Sequence, residues 1–169
     1  PLYGWGYDDG AMIAKTRAWI DARRKSAPDA PYLASFFSVG THDPYILPPS
    51  WSPVFTKERV RLDSDADWSG RLEIKDRRLL MLESYRFLDH HLGALYEWYL
   101  KNEAPRGTLL VLVGDHAPRL GHAGDATSAM HMRYRVPLII AGLEPNERDV
   151  YRRYANRVGA LHDIPATIM

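Results

Sequence analysis

The sequence predicts an α/β protein with a mostly parallel sheet flanked by helices, and three observations carry that expectation. Leu109 to Val113 form an unbroken apolar run led in by Thr108, the mark of a strand covered on both faces. A second run, Tyr32 to Val39, is separated from it by a long stretch of helical periodicity. Both runs end in glycine followed by polar side chains, Gly114-Asp115-His116 and Gly40-Thr41-His42-Asp43. In open α/β sheets the crevice beyond the carboxyl ends of the strands is where ligands bind.

Taken in order, Gly4-Trp5-Gly6-Tyr7 is a turn with two large aromatics, which either pack on the domain edge or line a binding site. Asp8-Asp9 open a helix whose apolar face is Met12, Ile13, Thr16, Trp19 and Ile20. Acidic residues at its start and Arg23-Arg24-Lys25 near its end suit the helix dipole, and Pro28 stops it. After the Tyr32–Val39 strand, Pro48, Pro49 and Pro53 mark Ile46 to Asp67 as a long surface loop, functional or merely connecting.

Asp76 to Lys101 is the longest helix, its pattern reaching back toward Leu72. Leu79, Leu80, Leu82, Tyr85, Leu88, Leu92, Leu95, Tyr96 and Tyr99 form its inner stripe, with Arg77, Arg78, Glu83, Arg86 and Glu97 between them. Asp89-His90-His91 cannot converge on one ion, because successive helical residues point about 100° apart. His90 and His91 therefore read as solvent-facing. Beyond His116 a glycine-rich loop carries Arg119 and His122, and His131 precedes a third strand within Arg133 to Ile140, where Pro137 marks a strand start or an edge. Gly142 to Asn146 is a turn, Val150 to Arg157 a short helix or extended segment. Leu161 to Met169 begins another helix, with Pro165 in its first turn.

Composition narrows the function classes. The 169 residues are 46% hydrophobic and 25% charged, enough for a core and an ordinary surface. A net charge of +1 with scattered basic residues gives no electrostatic case for nucleic acid or an anionic membrane. The lack of cysteine removes disulfides and thiolate metal sites. No apolar run approaches the roughly 18 residues of a membrane span. The chain starts at Pro1 without an initiator Met and stops in an apolar segment at Met169, so it reads as an excised piece of a longer protein.

The chemistry concentrates in Asp115 and His116. A carboxylate oxygen and an imidazole nitrogen at a strand end suit one divalent ion if the turn bends sharply. A capping Asp115 beside an exposed His116 fits the same spacing.

Several stretches resemble, in matching order, segments of the sulfatase family of the alkaline phosphatase superfamily. Phe37-Ser-Val-Gly-Thr-His-Asp-Pro-Tyr45 resembles the segment whose histidine, ahead of a Pro-aromatic pair, contacts the substrate. Val113-Gly-Asp-His116 resembles that superfamily's Asp-His metal-ligand pair. Arg135-Val-Pro-Leu-Ile-Ile140 is similar to the strand after the active-site loop, and His162-Asp-Ile-Pro-Ala-Thr-Ile168 to a late helix start. Leu88-Asp-His-His-Leu-Gly93 resembles the family's long helix, and Trp5-Gly-Tyr-Asp-Asp9 is most similar to the lipoteichoic acid synthase and phosphoglycerol transferase branch.

The resemblance implies a partial alkaline-phosphatase-like fold over residues 1–169, taken as one domain: the C-terminal part of a sulfatase-like catalytic domain whose nucleophile-bearing N-terminal part is missing. It implies an enzyme acting on phosphate or sulfate esters of a glycan, lipid head group or polyol. The reaction would be phosphoglycerol- or phosphoethanolamine-type transfer, or sulfuric ester hydrolysis. Asp115 and His116 map to metal ligands, His42 to the catalytic, substrate-contacting histidine, and Trp5 to a pocket aromatic. Arg119, His122 and His131 are further substrate-side candidates. The ion would be Mn or Zn ahead of Mg or Ca, weakly held because two ligands are fewer than a tight site needs. The isolated piece is then expected to be inactive and open to self-association. The parent would be membrane-anchored or exported, hence extracytoplasmic. The alternative is a non-catalytic α/β module that binds a glycan or polyol.

Overall fold

The computed structural model describes residues 2–3, 6–55, 74–116, 135–155, 157 and 159–165. The chain divides into two units, Pro1–Trp98 and Tyr99–Met169.

In the first unit, β1 (Leu2–Tyr3) and β2 (Gly6–Tyr7) pair antiparallel, Leu2 opposite Tyr7. α1 spans Asp9–Ser26. Its cap is the expected one: Asp8 Oδ1 accepts from the Ala11 N–H at 2.8 Å, satisfying one of the donors a helix start leaves open. The helix ends just ahead of Pro28, with Ala27 N–H bonded to the Arg23 carbonyl. Ile13 and Ile20 are buried as the periodicity requires. Trp19 is not: it stands half exposed, edge-on to Tyr32 at 5.9 Å.

α2 runs Ile74–Asn102, about 44 Å at 1.5 Å per residue. Its inner stripe is rotated from the expected one. Met81, Glu83, Ser84, Phe87, Leu95 and Tyr99 are buried, whereas Tyr85 and Tyr96 face outward. Polar residues hold inner positions because each is satisfied there: Ser84 Oγ donates to the Met81 carbonyl at 2.7 Å, and Glu83 gathers several donors. The ring of His91 lies beside Gly10, and Arg17 stacks over Trp98 at 5.4 Å. Both contacts step forward by seven residues on each helix, so α1 and α2 run in the same direction.

Tyr32 to Val39 keeps the burial alternation of a strand, with Tyr32, Ala34, Phe36 and Ser38 turned inward and Leu33 85% exposed. Among the described residues it has no ladder partner, so the expected strand is an extended segment instead. The pleat follows from the sequence, but pairing needs a neighbour that the pattern does not supply.

In the second unit a short 3-10 turn, Ala104–Arg106, leads into β3 (Leu110–Val113). Thr108, ahead of β3, is pinned three ways. Its carbonyl accepts from Tyr99 Oη at 2.8 Å, its hydroxyl donates to buried Glu103 at 3.1 Å, and its N–H donates to the Glu103 carbonyl. β3 pairs with β4 (Leu138–Ala141), from Leu110 opposite Ala141 to Val113 opposite Leu138. The mixed α/β class holds, but this pair is antiparallel where a parallel sheet was expected. An apolar run sets which residues are covered and leaves strand direction open, so the sequence pattern does not distinguish the two arrangements. α3 follows at Pro145–Tyr154, within the expected turn and ahead of the expected helix, its entry fixed by Glu147 accepting from the Glu144 N–H at 2.8 Å. Leu161–Asp163 form a final 3-10 turn.

Candidate active site

In the first unit the residue that the sequence proposes for the site is His42. It sits on a tight turn in which the His42 N–H donates to the Val39 carbonyl at 3.1 Å and the Tyr45 N–H to the His42 carbonyl at 2.8 Å. The Asp43–Pro44 peptide is cis, and Tyr45 has φ 59, a left-handed conformation uncommon for a bulky residue. The Tyr45 side chain is buried, so packing holds the turn in that shape. His42 itself is exposed. Its Nδ1 lies 2.7 Å from the Asp43 carbonyl oxygen. A carbonyl only accepts, so Nδ1 carries the hydrogen and, in the neutral ring, Nε2 bears the lone pair. Donation from Nε2 requires the cationic ring.

In the second unit Asp115 and His116 leave the end of β3 as the sequence places them. Gly114 is required there by close approach: a Cβ would meet Pro137 Cδ at 3.1 Å and Val136 Cβ at 3.2 Å, while its N–H donates to the Pro137 carbonyl at 3.0 Å. Asp115 Oδ1 accepts from the His116 N–H at 2.8 Å, and Asp115 Oδ2 lies 3.5 Å from His116 Nε2. Both side chains are more than half exposed. Carboxylate oxygen and imidazole nitrogen thus stand side by side at the surface. The donor set fits part of a divalent-ion site. It is two ligands where a firm site has three or more, and among the described residues no group of three or more His, Asp or Glu can hold an ion. Trp5, Arg119, His122 and His131 lie outside the described residues.

The sequence reading missed two carboxylates. Glu83, one of the charged residues interspersed among the apolar ones of α2, is only 2% exposed. It accepts from Trp51 Nε1 at 3.1 Å, from the Val54 N–H, from the Phe55 N–H at 2.6 Å and from Arg86 Nε at 3.0 Å. Burial alone would push the carboxyl up; the bonds from Phe55, Val54, Trp51 and Arg86 outweigh it and hold the group below the usual carboxylate range. Arg86 also stacks on Trp51 at 4.2 Å. The described part of the long loop is therefore fastened to α2. Asp9, expected only to serve the dipole, is fully buried.

His90 is exposed, as expected, but His91 is half buried with its ring edge-on to Phe87 at 4.6 Å. Burial, and secondarily the charge of His90, holds His91 below the usual imidazole range against the pull of Asp8 and Asp9.

A strand ending in Gly-Asp-His within an α/β chain defines a class of protein with polar chemistry at a sheet end. The sulfatase family model matches residues 1–169, and the chain belongs to the sulfatase family, whose enzymes act on sulfate or phosphate esters. No curated protein and no solved structure matches it.

Proposed function

We propose that this chain belongs to a metal-dependent sulfatase-like enzyme and supplies His42 as a substrate-contacting residue and Asp115 and His116 as metal ligands. The observation that carries the reading is the Asp115–His116 pair, side by side at the exit of β3 in a sulfatase-family chain. Asp115 and His116 would hold a divalent ion, Mn or Zn ahead of Mg or Ca, together with ligands from elsewhere. When bound, such an ion polarises the ester and lowers the pKa of a hydroxyl nucleophile. His42, when cationic, donates from Nε2 to a non-bridging or leaving-group oxygen while Asp43 fixes the ring's orientation. Trp5, Arg119, His122 and His131 are proposed to contact a glycan, polyol or lipid head group.

The likeness to phosphoglycerol transferases supports phosphoryl transfer to a hydroxyl acceptor, with sulfuric ester hydrolysis as the competing chemistry, in a membrane-anchored or exported, extracytoplasmic protein. Among the described residues no helix is long and apolar enough to cross a membrane. The 169-residue chain by itself is expected to bind metal weakly, to turn over no ester, and to self-associate through exposed apolar residues such as Leu138 and Ile139.

The test is an assay of the full-length protein on phosphate and sulfate monoesters and diesters, with His42→Ala and Asp115→Ala alongside. His42→Ala is expected to slow esters with poor leaving groups by roughly 10²–10⁴-fold, the usual worth of a general acid. Asp115→Ala should abolish metal-dependent turnover. Unchanged rates in both variants would remove the assignment, and metal-independent glycan or polyol binding without turnover would establish the non-catalytic module.

A further inference from the structure

We propose that Asp9 is the positioning residue for His42, a role that rests on the reading of His42 as a proton donor. Asp9 is 0% exposed and sits in the first turn of α1, some thirty residues before the turn it controls. Its Oδ1 accepts from two consecutive backbone donors, the Val39 N–H at 3.2 Å and the Gly40 N–H at 3.3 Å. These two amides end the extended segment that leads into His42. Val39 then accepts the His42 N–H through its carbonyl, and His42 accepts the Tyr45 N–H through its own. One carboxylate oxygen therefore fixes the point from which the His42 turn departs.

Gly40 completes the fit. A Cβ there would stand 2.4 Å from Asp9 Oδ2 and 3.1 Å from its Cγ, so only glycine lets the carboxylate lie against the chain. The two aspartates divide the work: Asp8 caps its own helix, and Asp9 reaches across to another segment. Asp9 Oδ2 is buried with no hydrogen-bond partner among the described residues. What Oδ1 accomplishes is the registry of Val39 and Gly40, and through them the direction in which His42 leaves.

The test pairs a structural readout with a kinetic one. In the full-length protein, amide exchange at Val39 and Gly40 and the ring nitrogen shifts of His42 are followed by NMR in Asp9→Asn and Asp9→Ala. In the full-length protein, para-nitrophenyl phosphate and sulfate, whose leaving group needs no proton, are compared with glycerol phosphate and an alkyl sulfate, whose leaving group does. Expected are faster exchange at both amides, shifted His42 signals, and a kcat loss of about 10²-fold on the alkyl ester with little change on the aryl ester. Asp9→Asn, which keeps an acceptor oxygen, should recover part of what Asp9→Ala loses, so the proposal survives a failure of the alanine variant to fold. Asp9→Asn combined with His42→Ala should be no slower than His42→Ala alone. Equal losses on both ester types, additive losses in the double variant, or unmoved His42 signals would overturn the proposal. A His42→Ala variant at full rate, with Val39 and Gly40 exchange still governed by Asp9, would instead sink the reading of His42 and leave the clamp itself established.

Discussion

The two units treat their carboxylates in opposite ways. In Pro1–Trp98, Asp9 and Glu83 are buried and accept from backbone amides about thirty residues away, so charge is spent on fixing loops. In Tyr99–Met169, Asp115 bonds to its own neighbour and stays open to solvent beside His116, while Val113, Leu138 and Ile139 of the same sheet are exposed as well. Glu103 is the exception there, and it too serves geometry, holding Thr108 ahead of β3. Buried acids set the position of a side chain; exposed ones remain available to a ligand.

That contrast can be broken by substitution. Glu83→Ala should be the most damaging, leaving the Val54 and Phe55 amides without their acceptor; at 1–3 kcal/mol per stranded group the loss is about 3 kcal/mol, read by urea unfolding. Gly114→Ala comes next, since Pro137 and Val136 must give way; overpacking of this kind costs about 1–2 kcal/mol, measured the same way. Asp115→Asn should change stability by less than about 0.5 kcal/mol, because its side chain is exposed. A loss from Asp115→Asn as large as that from Glu83→Ala would erase the distinction between the two kinds of acid.

The pH profile sharpens the same point, with effects smaller than the first substitution. Glu83 is held below the usual carboxylate range, so its contribution is complete above the unfolded value near 4.5 and disappears as pH falls through the lower folded value. His91 is also lowered, but as a base it acts earlier in the descent: from about pH 6.5 downward the unfolded chain takes the proton first and stability declines. Thermal melts of His91→Gln should lack that first decline while keeping the acid loss due to Glu83. A decline unchanged in His91→Gln would assign it to another group.

Much of this was open to reading from the chain. Asp8 as a cap, Pro28 as a stop, the span of α2 and the Gly-Asp-His exit of β3 are local features, and local features follow from neighbouring residues. The family resemblance rested on such short segments too, and the family match agrees with it at the level of the sulfatase family. What escaped was non-local. Amphipathic reasoning sends every charged residue of a helix outward, so it misplaces Glu83 and rotates the inner face of α2. Nothing near Asp9 in the sequence announces Val39 and Gly40 as its partners. The direction of β4 was missed for the same reason, because an apolar run fixes burial and leaves orientation to the connection.

The Asp43 carbonyl that orients the ring of His42 also ties two properties together. Since the proton on Nδ1 is already committed, the ring can give one from its other nitrogen only while carrying a full positive charge. If His42 acts as proposed, contact with the ester and delivery of a proton would both pass through Nε2.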